Sequence, residues 1–169
     1  MAINPLVARI ETGAAPPRET LATLALEHRV IPADRRAFLH LAQRPETTPQ
    51  AADFLEFLAA GETMAGERLI AFADACGMSE TRLTSYEPSP GCQSYPAYVA
   101  WPALNADPTD VVLALTSNFA EWGGYCATIA AALREHHAFT EEACGFFDLF
   151  AEPRRNWGER PRRRYRRAA

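Results

Sequence analysis

Apolar residues in this chain recur three and four positions apart, the period of one face of an α-helix. The clearest run is Val111, Leu115, Phe119, Trp122, Cys126, Ile129 and Leu133, spaced 4, 4, 3, 4, 3 and 4. It predicts one long helix from Asp107-Pro108 to about His136, with Asp as cap and Pro in the first turn. At about 1.5 Å per residue such a helix spans roughly 40 Å. Gly123-Gly124 in its middle costs helix propensity, about 1 kcal/mol per glycine. Close approach of another helix or of a ligand is the expected return.

The remaining pattern is helical too. A short helix or lead is expected before Gly13 and Pro16, then a helix from Pro17 to about His28 carrying Leu21, Leu24 and Leu26. Ile31-Pro32 opens the next, with Asp34 in its first turn where an acid complements the helix dipole. It buries Phe38, Leu39 and Leu41, and Arg44-Pro45 ends it. Thr48-Pro49 is a cap-and-start signal for a helix through Phe54, Leu55, Leu58, Leu69, Phe72 and Cys76, stopped at Gly77. Residues 78–93 read as a loop. Tyr95-Pro96 starts another helix, which Pro102 should kink or end. Thr140 starts a last one with Phe146, Phe147, Leu149 and Phe150, ended at Pro153. The expected architecture is all-α: a single-domain bundle of about six or seven helices.

Composition supports this. Hydrophobic residues make up 48% of 169, enough for a real core, and β-branched residues are scattered rather than clustered as strands require. Net charge is −4 but unevenly spread: residues 1–152 hold 9 Arg and 20 acids, residues 153–169 hold 8 Arg and 1 acid. The expected organisation is therefore a helical domain over 1–152 and an Arg-rich, disordered tail over 153–169. No basic region precedes an apolar run at the N-terminus, and no apolar stretch reaches the roughly 18 residues that span a bilayer, so the expected location is the cytoplasm, away from membranes.

Candidate chemistry is sparse. Asn118, Glu121, Trp122 and Tyr125 fall at i, i+3, i+4 and i+7 and would share a face of the long helix. One amide, one acid and two rings could line a pocket for a flat heteroaromatic ligand; the bland alternative is a core Trp, a rim Glu and a satisfied amide. Tyr95 and Tyr98 face one way, either toward that ligand or as ordinary aromatic packing. Glu56, Glu62 and Glu67 are possible metal or acid–base carboxylates, but no His has an acid three residues before it, so a di-iron set is incomplete. A lone helical His28 is weak evidence for haem. Cys76, Cys92, Cys126 and Cys144 lack zinc-ligand spacing and read as buried free thiols. No metal or cofactor is expected.

The segments PGCQSYPAYVAW (Pro90 to Trp101) and ALTSNFAEWGGYC (Ala114 to Cys126) resemble the TenA family, which includes thiaminase II enzymes. The resemblance covers most of residues 20–150 and is diffuse outside those segments. It implies a haem-oxygenase-like helical fold, a small-molecule ligand and a homo-oligomer. A "transcriptional regulator" label is common in the family without a DNA-binding domain. Pro90, Tyr95 and Tyr98 match its first motif. In the second, the family's nucleophilic Cys corresponds to Asn118, and Trp122 stands at a Tyr position. Gln43-Arg44 stands where the family has Gln-Asp, and no residue matches its C-terminal catalytic Glu. The chain therefore reads as a divergent member, apparently truncated at its C-terminal end. Its expected role is binding or salvage of a thiamine-pyrimidine-like molecule, with no residue assigned to catalysis, because thiolate hydrolysis needs nucleophile, acid–base partner and orienting group together. The alternative role is regulatory, with the Arg-rich tail on nucleic acid or an acidic partner, although basic runs are weak signals and nucleic acid is the less expected partner.

Overall fold

The computed structural model describes residues 5–14 and 18–151. Among these residues the chain forms nine α-helices, one 3-10 turn and no strand: α1 Pro5–Glu11, α2 Arg18–Glu27, the 3-10 turn His28–Val30, α3 Ile31–Ala42, α4 Pro49–Ala75, α5 Glu80–Ser85, α6 Pro90–Asn105, α7 Pro108–Ser117, α8 Phe119–His137 and α9 Glu141–Ala151. The all-α expectation is met. No helix among the described residues is long and apolar enough to cross a membrane. The Arg-rich tail lies outside the described residues, as does the expected start at Pro17.

Local signals set most boundaries. The Thr48 hydroxyl accepts from the Ala51 amide with Pro49 in the first turn, as the sequence predicts. Thr140 does the same for the Ala143 amide ahead of α9. The expected loop at 78–93 instead contains α5, capped by Ser79, and the start of α6, capped by Ser89 with Pro90 in the first turn. Serine caps and proline starts won over the local Ser/Pro/Gly composition. Pro102 does not end α6; the helix continues to Asn105.

The expected single helix over 107–136 is two, and the longest helix is α4, with 27 residues. Asn118 ends α7 and begins α8 at φ −95° and ψ −12°. Thr116 and Ser117 donate their hydroxyls back to carbonyls of their own helix, Val112 and Leu113 for Thr116 and Ala114 for Ser117. Such bonds compete with the backbone ladder and favour a break. The apolar stripe does face inward, but into two different cores. Val111 and Leu115 pack with Phe38, Leu41, Leu55, Leu58 and Val99. Cys126, Ile129 and Leu133 pack with Ile10, Leu21, Leu69, Phe72, Phe146 and Phe147.

The long α4 joins these cores. Its stripe Leu55, Leu58, Ala65, Leu69, Phe72 serves one core with its N-terminal half and the other with its C-terminal half. Gly123 lets α9 approach α8: a Cβ there would sit 2.9 Å from the Phe150 carbonyl oxygen. Arg134 ties the same two helices, donating to Glu141 and to Asp148 at 2.6 Å. Other arginines hold helix ends, Arg29 at the Leu83 and Thr84 carbonyls of α5 and Arg44 at the Ala103 and Ala106 carbonyls of α6.

Candidate functional site

One acid occupies a core position and a second lies at the core's edge. In α3 the inward residues are Ile31, Asp34, Phe38 and Leu41, spaced 3, 4 and 3, so Asp34 stands where a hydrophobe is expected. It is 8% exposed, and its Oδ1 has no hydrogen-bond partner among the described residues. Burial alone pushes its carboxyl from 3.8 up to about 7, because the charged form loses its water. In α4, Glu62 lies four residues after Leu58 and three before Ala65, on the same inward stripe, and is half-buried. Neighbouring Gly61 is buried, yet nothing lies within 4 Å of where its Cβ would be. The interior has open space at this level, between the two cores.

Helix α6 closes the group. Tyr95 precedes the buried Pro96 and sits four residues before the buried Val99. Burial, then the charges of Asp34 and Glu62 and the adjacent Tyr98, push its phenol up to about 12. The α3 and α4 carboxyls thus each act on the α6 phenol. Tyr95 remains 48% exposed and Tyr98 63%, whereas Asp34 is buried.

The α8 side is different. Tyr125 donates its hydroxyl to the Glu121 carboxylate at 3.2 Å, making a polar pair one turn apart. Trp122 packs against His28, with ring centres 5.5 Å apart, and against Phe150 at 5.8 Å. His28 also meets the Phe146 ring at 4.9 Å. Asn118 is exposed at the α7–α8 junction and does not extend the inward face of Trp122, because the helix breaks at that residue. The residues singled out from sequence therefore fall in three places: Tyr95 and Tyr98 on α6, Glu121, Trp122 and Tyr125 on α8, and Asn118 at the surface. The 3-10 turn His28–Val30 borders both inner groups, packing on α6 while its His28 ring meets Trp122.

Asp34 is the residue sequence reasoning passed over, reading it as a dipole partner. Its signal was the spacing Ile31-Asp34-Phe38-Leu41, an acid inside an apolar stripe. Glu56 and Glu67 are exposed and border an open groove of about 370 Å³ between α3 and α4, with Arg35, Leu39, Thr63 and Met64. Among the described residues no group of three or more His, Cys, Asp or Glu is placed to hold a metal ion. Arg44, at the position of the family acid, is engaged with the end of α6 and with Glu46 at 3.5 Å.

Compared with known proteins, the chain matches the family model described as the TENA/THI-4/PQQC family over residues 45–160. No curated protein and no solved structure matches it.

Proposed function

The chain belongs to the TENA/THI-4/PQQC family, and from that membership we propose that it binds or salvages a small, flat heteroaromatic molecule of the thiamine-pyrimidine kind. The ligand would sit between α3, α4 and α6. The observation that carries this reading is the buried Asp34 oxygen without a hydrogen-bond partner among the described residues, on a carboxyl whose charge acts on the Tyr95 phenol. A carboxyl that ionises near neutrality offers an O–H donor and a carbonyl acceptor in its protonated form, the complement of an aminopyrimidine edge. Tyr95 and Tyr98 offer rings for stacking at the mouth. Trp122 offers a further ring on the α8 side, with the Glu121–Tyr125 pair next to it. Asn118, at the nucleophile position, contributes at most an amide at the rim.

Hydrolysis is not part of this proposal. Asn has no nucleophilic atom comparable to a thiolate, and the nearest thiol along α8, Cys126, is fully buried and pushed up to about 12 by burial. We place the protein in the cytoplasm and, as the family resemblance implies, as a homo-oligomer.

Titration of the full chain with a methyl-aminopyrimidine and with thiamine tests the reading by calorimetry. Saturable heat for the aminopyrimidine is expected, with affinity at least about tenfold weaker in Tyr95→Ala. Thiamine should remain intact on prolonged incubation. Absence of heat and of thermal stabilisation for every flat heterocycle tried would sink the proposal.

A further inference from the structure

Helix α6 turns a row of large apolar side chains away from the core. Val99 and Ala103 enter the cluster of Phe38, Leu41 and Leu58, and Trp101 lies two residues after Val99, about 200° around the helix. Tyr98 and Leu104, three residues to either side of Trp101, flank it on that outer face. On α7, Val111 and Leu115 enter the same cluster, and Leu113 between them points outward. Tyr98, Trp101, Leu104 and Leu113 are each 61–64% exposed. Together they leave roughly 500 Å² of apolar surface open, a size at which such patches are commonly functional.

The same two helices lack charge. The 16 residues of α6 include no Asp, Glu, Lys, Arg or His, and the 10 of α7 include only Asp110, in a chain with 22% charged residues. An acidic or basic partner finds no counter-charge here, nucleic acid and the Arg-rich residues 153–169 included. A second copy meets no like charge across this face, although each copy carries −4. Two-fold pairing would bury the four side chains twice, roughly 1,000 Å². At the roughly 60% apolar share of protein interfaces this corresponds to about 1,600 Å² in all, the area of a standard stable interface.

We propose that the outer face of α6 and α7, centred on Trp101, docks a second copy of this chain about a two-fold axis. This rests on the homo-oligomer reading above and names its face. Tyr98, three residues after Tyr95, puts the partner copy beside the proposed small-molecule site.

Sedimentation velocity of the full chain from about 1 to 100 μM tests it. Wild type should associate to twice the 18.7 kDa of one chain or a multiple of that. Trp101→Arg and Leu113→Arg should each weaken association at least about tenfold while still melting cooperatively. Ile70→Arg, at an exposed position of α4, should leave association unchanged. Undiminished association in either α6–α7 variant, or equal weakening by Ile70→Arg, overturns the choice of face and leaves the homo-oligomer reading standing. A monomeric wild type overturns both; if it associates once residues 153–169 are deleted, that segment is the occupant instead. Aminopyrimidine binding, measured separately by calorimetry, decides the ligand proposal alone.

Discussion

Replacing Asp34 with Asn removes a titrating group from the core while nearly preserving its shape. In the folded chain the carboxyl is pushed from 3.8 to about 7 by burial. Below about pH 4 it is protonated in folded and unfolded states alike and contributes no pH dependence. Between about pH 4 and 7 the unfolded chain releases the proton while the folded one keeps it, so stability falls as pH rises. Above about pH 7 both states are ionised and the loss is complete. At about 1.4 kcal/mol for each tenfold, the loss is roughly 4 kcal/mol. Exposure of only 8% leaves little solvent screening to reduce it. Burial is the cause of the Asp34 shift, and its charge acts on the Tyr95 phenol of α6. Arg35, next to it in sequence, donates to the Thr63 hydroxyl. An Asn amide keeps one polar group in the core, costing about 1–2 kcal/mol. Asp34→Asn should therefore be less stable than or equal to wild type near pH 4 and more stable by roughly 2 kcal/mol near pH 8. Urea midpoints measured from pH 4 to 8, with unchanged slope, read this directly. Parallel curves for the two proteins across that range would refute the burial argument for Asp34.

Two further expectations follow from packing and thiol chemistry. Gly123→Ala drives a Cβ to 2.9 Å from the Phe150 carbonyl and should cost about 1–3 kcal/mol in urea unfolding. Gly124→Ala meets nothing within 4 Å and should add about 0.5–1 kcal/mol through helix propensity. With a thiol reagent, half-buried Cys92 should react in the folded protein, while Cys76, Cys126 and Cys144 react only on unfolding. Burial pushes Cys76 up to about 11 and Cys126 to about 12, so their thiolates are scarce near neutrality.

The helical character of this chain, and most of its helix starts, were local matters. Thr48-Pro49, Asp107-Pro108 and Thr140 act on amides two or three residues away, so sequence alone determined them. The inward orientation of Val111 through Leu133 was equally local, because period alone assigns a face. What sequence could not determine is which core each stretch of that face meets. The break at Asn118 sends Val111 and Leu115 to one cluster and Cys126, Ile129 and Leu133 to another, and only the packing of α3, α4 and α6 makes that division worthwhile. Gly123 shows both sides: its helix cost is visible in sequence, while the Phe150 carbonyl it admits belongs to α9, nearly thirty residues on. The site divides the same way. Tyr95 and Tyr98 were legible from a motif, while Asp34 read as a dipole partner although its place in the stripe Ile31-Asp34-Phe38-Leu41 marks it as a misfit. That Asp34 is buried within reach of the Tyr95 phenol was decided by tertiary structure, because α3 packs on α6 through contacts far apart in the chain, and no local rule sets the distance between them.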